Sequence, residues 1–343
     1  MSEKIKVIAY RGDAGACWYF RIHAPMLYVA RNNQDLFDIT IASSVTKDQI
    51  GKYDIVILQR QYKIEVLAPV LEMKKQGAKL IYEIDDDLFH IPEWNPAHKS
   101  LSPKHIQDGI KAFISRVDAL FVTTEALKCI YSGYCDNIYV LPNSVDQEIM
   151  YKYPRNAQLP VVCWQGSITH TNDLEIARKG FEKLAQDKDM ILKLWCGFDH
   201  KTQKPVFDVP GAQTLPYVPF EAFYQMFSQV GVYIGLAPLA ANIFNKSKSN
   251  LKFLEYTMYD AVTVASNFGP YKDTIEDGVT GILVSDNRDW YEKTRMVLDN
   301  KDLYDKILTN ARQLVYENYN IVKTYKLWEK ALLQIYGGIN DCV

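Results

Sequence analysis

The sequence predicts an α/β protein of two Rossmann-like domains facing a cleft, and three observations predict it. Short apolar runs rich in Val and Ile alternate with helix-like stretches from one end to the other, the pattern of parallel sheets covered on both faces. The alternation breaks at residues 147–160, a polar stretch with two prolines, and then restarts. The chain has 343 residues, 48% of them hydrophobic, enough for two cores of ordinary size. The expected division is one Rossmann-like domain over 1–150, a second over 151–320 and a C-terminal helix over 321–343. The linker is placed near 145–158.

In the first half the strand candidates are IKVIAY, FDITIAS, YDIVILQ, KLIYEID, ALFVTT and NIYVLPN, with helix-like segments at 63–76 and 104–116. The second half supplies VVCWQG, MILKLWCG, QTLPYVP, VGVYIGLAPL, VTVAS and GILVSD. Residues 301–337 read as helix. Ligands of open α/β sheets bind beyond the carboxyl ends of the strands, so two such sheets in tandem share a cleft there.

Charged residues are 23% of the chain and the net charge is -2, which excludes a disordered composition and argues against non-specific nucleic-acid binding. The six cysteines form no CxxC pair and no zinc-like spacing, and read as reduced thiols. No apolar run reaches the ~18 residues of a membrane span, and the N-terminus lacks a signal-peptide core. The expected location is the cytoplasm, with peripheral membrane contact left open.

Five motifs carry candidate chemistry. YRGDAGACWYFR (10–21) follows the first strand. Gly12 and Gly15 let backbone approach a ligand, Arg21 is a candidate fixed cation, and Tyr19 lies between them. EIDDDLFHIP (83–92) ends the fourth strand. Adjacent aspartates repel unless a cation, proton or donor compensates them, so the run is a candidate for a general base, for cation stabilisation or for a metal. Strand alternation would turn Asp85 and Asp87 one way and Asp86 the other, with Asp87 alternatively capping the next turn. VLPNSVD (140–146) is a turn. In WQGSITHTNDL (164–174), Gly166 and Ser167 open a loop to a helix start suited to phosphate, Asn172 or Asp173 is a candidate cap, and His170 is a candidate ligand contact. In NKSKSNLKFLEY (245–256), Ser249 is a candidate N-cap for a helix from Asn250. Lys248 then sits at the helix N-terminus where a diphosphate is favoured, and Glu255 on the same face has a carboxylate suited to two ribose hydroxyls. The alternative for this segment is a surface helix with a Lys252–Glu255 pair.

The order of VLPNSVD, WQGSITHTNDL, LPYVPFEAFYQMFSQVGVYIGLAPL, KSKSNLKFLEYTMYDAVTVASNFGPY and DGVTGILV resembles the group 1 (family 4-like) glycosyltransferases, and bacterial and phage members in particular. The resemblance covers nearly the whole chain. It implies a GT-B fold, with 1–150 on the acceptor side, 151–320 binding the nucleotide sugar and the C-terminal helix crossing back to the first domain, together with a UDP- or GDP-sugar donor and retention of anomeric configuration. It also implies that Glu255 binds ribose, that Lys248 contacts phosphate, and that the backbone of Tyr217 and Val218 borders the nucleobase. The Gly12–Gly15 loop would close over the ligands. Asp85 and Asp86 would stand where many relatives carry a catalytic histidine. The family's Glu-x7-Glu pair is broken, with Ser247 at the first position, and the frequent Arg and Lys pair after the second domain's first strand is missing.

The expected reaction passes through an oxocarbenium-like state, with Lys248 and helix amides holding the leaving diphosphate and an aspartate acting on the acceptor hydroxyl. No obligatory metal is expected. The expected acceptor is a glycan or lipid-linked sugar. The alternative is a hydroxymethylated base in DNA, held in a groove of Arg11, Arg21, Arg60 and Lys63 beside Trp18, Tyr19 and Tyr62. Two further readings are a non-catalytic nucleotide-sugar-binding protein and a sugar-nucleotide epimerase.

Overall fold

The computed structural model describes residues 3–146, 158–199 and 201–338. Most of the expected linker, residues 147–157, lies outside them.

All twelve strand candidates are strands. β1 (Ile5–Tyr10), β2 (Phe37–Ala42), β3 (Ile55–Gln59), β4 (Lys79–Ile84), β5 (Ala119–Val122) and β6 (Ile138–Val140) form one parallel sheet in the order β2-β1-β3-β4-β5-β6. β7 (Val161–Gln165), β8 (Ile191–Trp195), β9 (Gln213–Thr214), β10 (Val232–Ala237), β11 (Val262–Ser266) and β12 (Ile282–Val284) form a second, in the order β12-β11-β10-β7-β8-β9. Central strands are buried on both faces: every residue of β3, β5, β7 and β11 is buried, which is why they read as unbroken apolar runs.

The strand order reverses between β1 and β3 in the first sheet and between β7 and β10 in the second. Such switch points open crevices at the strand ends. Gly12 lies at the first of them. A Cβ there would stand 2.7 Å from the Gln59 carbonyl oxygen, and the Gly12 amide donates to Gln59 Oε1 at 2.9 Å. Its role is thus close packing of the chain after β1 against the end of β3, and the expectation that it admits a ligand is corrected. Gly12→Ala is expected to cost about 1–3 kcal/mol of stability by overpacking, read as a lower midpoint in thermal unfolding.

The tail is two helices, Lys301–Asn318 and Ile321–Tyr336, where the sequence reads as one. Asn320 breaks it: its backbone is extended, its side chain accepts from the Val322 amide, and it bridges to Val145. The second helix places Trp328, Ala331, Leu332 and Ile335 in one buried cluster with Ile5, Val7, Ile57 and Phe121 of the first sheet.

Further contacts join the lobes. Phe20, just after β1, is buried among Phe227, Phe253, Leu254 and Tyr256 of the second lobe. Ser247, Lys248 and Ser249 are each met by a different strand end of the first lobe. The Thr124 hydroxyl donates to the Ser247 carbonyl at 2.9 Å, Lys248 Nζ lies 3.9 Å from Asp86, and Asn143 Nδ2 donates to Ser249 Oγ at 2.9 Å.

Candidate functional site

A cleft of about 420 Å³ lies between the carboxyl ends of the two sheets. Residues from both lobes line it. Gly15, Asp85 and Asp86 come from the first, and Gly166, Ser167, His170, Tyr217, Val218, Lys248, Ser249 and Glu255 from the second. Gly12, Tyr19, Arg21 and Arg60 are not among its lining residues.

Glu255 lies in the first turns of the helix Leu251–Met258 and is only 5% exposed. Its Oε2 accepts from Gln165 Nε2 at 2.7 Å and its Oε1 from the Tyr224 hydroxyl at 2.9 Å. Burial pushes its carboxyl upward, opposed by Lys252 and by those two donors. Each oxygen keeps a lone pair for a ligand hydroxyl. The helix starts one residue later than expected: Asn250 takes the cap position and makes no side-chain cap bond. Ser249 is therefore not the cap; its hydroxyl is engaged by Asn143. The uncapped amides of Leu251 and Lys252 belong to residues lining the cleft, and such a terminus favours an anion.

Lys252 is the residue the sequence reading set aside. It lines the cleft, with Nζ 5.8 Å from the Trp164 ring centroid and 3.3 Å from where a Cβ on Gly166 would lie. That Cβ would also collide with Trp164, so Gly166 is required by the packing of these two side chains. Burial, opposed by Glu255 and aided by the charge of Lys248, lowers the Lys252 ammonium to about 8. Its signal was present: it stands three residues before Glu255 on the same helix. The alternative of a surface Lys252–Glu255 pair gives way to a buried Glu255 and a half-buried Lys252 lining one cleft.

His170 ends a short turn, Ile168–His170, and its Nδ1 lies 2.7 Å from Asp173 Oδ2. Asp173 does not cap the following helix as expected. It is wholly buried, and its other oxygen accepts from the Ala240 amide at 2.9 Å and Asn245 Nδ2 at 2.7 Å. Ser167 is exposed and shares a hydrogen bond with Thr169. Tyr217 is 75% exposed at the rim, above Gly197, whose positive φ of 73° lets the chain pass beneath it. Trp195, Phe220 and Phe223 form the apolar wall beside it.

On the first-lobe side Asp85 and Asp86 lie beyond the end of β4, so strand alternation does not govern them. Both reach Arg60, at 3.1 and 3.0 Å. Asp87 turns away: it is wholly buried, accepts from the amides of Phe89 and His90, and pairs with His90 Nδ1 at 2.8 Å. Tyr131 fixes this turn by donating to the Asp86 carbonyl and accepting from the Leu88 amide. Arg60 also approaches Asp13 at 4.0 Å and Cys17 Sγ at 3.4 Å, and adopts a left-handed φ of 49°, a strained state for arginine. It is the cation that lets two adjacent aspartates coexist, and an acceptor contact is not what its geometry shows. Asp13 in turn accepts from the amides of Gly15 and Trp18. Among the described residues no group of three or more His, Cys, Asp or Glu is placed to hold a metal ion.

Arg21 is corrected outright. It is fully buried, with Nε 2.6 Å from Glu83 and Nη1 donating to the Leu141 carbonyl at 2.6 Å and to Asn143 Oδ1 at 3.2 Å. Its guanidinium lies over the Trp328 ring at 4.9 Å. Tyr19 packs on Phe220 at 5.2 Å, between the lobes. Arg21 and Arg60 are both paired internally, so neither is a free cation for the groove that the DNA alternative invokes.

Two parallel lobes whose strand ends face one cleft, with a C-terminal helix returning to the first, make up the GT-B fold. Solved structures of that fold match along the whole chain. Anabaena HepE in complex with UDP-glucose is 13% identical, with a TM-score of 0.68 over 96% of this chain and all of that one. Sucrose-phosphate synthase from Thermosynechococcus elongatus is 12% identical, with a TM-score of 0.67 over 98% of this chain and all of that one. A putative UDP-N-acetylglucosamine 2-epimerase from Listeria monocytogenes is 14% identical, with a TM-score of 0.60 over 99% of this chain and 98% of that one. At such identities the likeness shows the fold. No family profile and no curated protein sequence matches the chain. Among the described residues no helix is long and apolar enough to cross a membrane.

Proposed function

We propose that the protein is a retaining glycosyltransferase that moves a sugar from a UDP- or GDP-sugar to a hydroxyl of a glycan or lipid-linked sugar. One observation carries this reading: a single cleft joins a buried carboxylate, two lysines and an uncapped helix N-terminus on one side to an ionic aspartate pair on the other. Glu255 accepts from the ribose hydroxyls, and the backbone of Tyr217 and Val218 borders the base. Lys248, Lys252 and the amides after Asn250 hold the diphosphate, assisted by Gly166 and Ser167. Lys252 thereby supplies the charge that the missing Arg and Lys pair would have given.

In the reaction the bond between the sugar's anomeric carbon and the leaving phosphate oxygen breaks, and a bond to the acceptor oxygen forms on the same face. The lysines and amides stabilise the departing charge. Asp86, the more exposed of the pair, orients the acceptor hydroxyl, whose proton passes to the leaving phosphate. Asp85 lies nearer the interior and stabilises positive charge on the ring. Gly15 and the turn it opens close over the sugar. Neighbours crystallised with UDP and UDP-glucose support the choice of donor class.

The test is thermal stabilisation across UDP, GDP and their sugars, since a bound donor raises apparent stability by mass action, followed by transfer assays with glycan and hydroxymethyl-base DNA acceptors. A donor-specific shift and labelled glycan are expected. Labelled DNA alone would overturn the acceptor, and isomerised donor without transfer would make the protein an epimerase. Donor binding should also weaken as pH rises through about 8, where Lys252 loses its proton in the empty cleft. The limiting slope is about tenfold per pH unit. Titration calorimetry at pH 7, 8 and 9 reads this, and Lys252→Met should bind weakly with the slope gone.

A further inference from the structure

Resting on the donor reading above, we infer that His170, held by Asp173, is a fixed hydrogen-bond acceptor that recognises a hydroxyl or N–H on the sugar half of the donor. Asp173 sets the ring. Its Oδ1 is occupied by two N–H donors, Ala240 and Asn245, and its Oδ2 faces His170 Nδ1 at 2.7 Å. A carboxylate held this way accepts and does not donate, so the ring proton belongs on Nδ1 and the lone pair on Nε2. Among the described residues no side chain donates to that second nitrogen, and the ring lines the cleft, edge-on to Trp164 at 6.3 Å.

The surroundings keep the ring neutral. Burial, then the charges of Lys252 and Lys248, lower it to about 3, against a smaller opposing pull from Asp173. The cleft therefore presents two cations beside one neutral acceptor. The diphosphate cannot use that acceptor, because its oxygens have no protons to give. The ribose hydroxyls go to Glu255. The base's N–H groups stand at the Tyr217 and Val218 backbone in this pose, which leaves the hydroxyl and amide hydrogens of the sugar for His170, and an acceptor left unmatched in the filled cleft penalises a sugar that lacks the group. Ser247 makes no such contact, since it is buried with its hydroxyl spent on the Phe244 carbonyl.

Asp173 is a positioning residue, and Asp173→Asn tests it. An asparagine whose Oδ1 keeps the Ala240 and Asn245 donors turns its NH2 toward Nδ1. This drives the ring proton to Nε2 and converts the acceptor into a donor. The measurement is calorimetric affinity for UDP, UDP-glucose, UDP-N-acetylglucosamine, GDP and GDP-mannose, with ¹⁵N spectra of the His170 ring. The wild type is expected to bind one nucleotide sugar at least about tenfold more tightly than its nucleoside diphosphate and to show the Nδ1–H tautomer. His170→Ala and Asp173→Asn should both lose the sugar's increment and keep nucleotide affinity within about threefold, and Asp173→Asn should show Nε2–H. His170→Ala and the wild-type spectrum carry the test if the asparagine variant does not fold. An Nε2–H ring in the wild type, no sugar increment there, or an increment that survives His170→Ala overturns the inference while the donor reading stands. Failure of every nucleotide and nucleotide sugar to bind the wild type overturns the donor reading and this inference with it.

Discussion

Replacing Glu255 with alanine is expected to abolish the thermal shift produced by the donor. The buried carboxylate is the acceptor for two ribose hydroxyls in the proposed pose, and hydrogen bonds to a charged group contribute about 1.5–3 kcal/mol each. Losing about 3 kcal/mol weakens binding by more than 100-fold. The change also leaves Gln165 Nε2 and the Tyr224 hydroxyl without their partner. Glu255→Gln separates the effects: it keeps the shape and one acceptor, so the apo protein should melt near the wild type while donor affinity still falls. An unchanged shift in Glu255→Ala would remove the donor-site assignment. Because burial raises the Glu255 carboxyl above its ordinary 4.5, the anion is lost early as pH falls. With Lys252 titrating near 8 on the other side, donor affinity should follow a bell.

The second large effect is on stability. Arg21→Met should destabilise the first lobe by about 3–5 kcal/mol, because it strands Glu83, which is wholly buried with the arginine 2.6 Å away. For a lobe of this size that is a fall of roughly 6–20 °C in melting temperature, read by calorimetry at pH 7. Burial already raises the Glu83 carboxyl to about 7, against the pull of Arg21. The sign follows. Between the unfolded value of 4.5 and 7 the folded state holds the extra proton, so this group's contribution to stability falls as pH rises through that window. Without Arg21 the folded carboxyl titrates higher still, so acidification from pH 8 to 6 should partly rescue the variant. Arg21→Met with Glu83→Leu should recover most of the loss, since an apolar pair of similar volume carries no desolvation cost. A single variant that melts like the wild type would show the pair to be dispensable.

The backbone was the legible part of this chain. Buried parallel strands must be continuously apolar, and all twelve were readable for that reason. In the second lobe Lys248 and Glu255 both line the cleft, although Lys248 lies before the helix Leu251–Met258 and not on the face that local periodicity assigned to it. What stayed hidden depends on contacts distant in sequence. Arg21 looked like a free cation because Glu83 and Trp328 lie far from it along the chain. Arg60 looked like an acceptor contact until the ends of β3 and β4 placed it between Asp85 and Asp86. Asp173 read as a helix cap because its true partners, Ala240 and Asn245, arrive from beyond β10. Lys252 was visible but was weighed as a surface charge, and only burial shows otherwise.

The helix Ile321–Tyr336 has a consequence for how the chain is made. It fills the floor of the first lobe with Trp328, Leu332 and Ile335 beneath β1, β3 and β5. A ribosome finishes the first sheet's strands long before it delivers this helix, and the entire second lobe is synthesised in between. At about 5–20 residues per second the nascent first lobe waits on the order of ten seconds or more with that apolar floor uncovered. During synthesis the second lobe, whose sheet does not wait for that last helix, should be the first to become protease-resistant, and the amino-terminal lobe should be the customer of cellular chaperones.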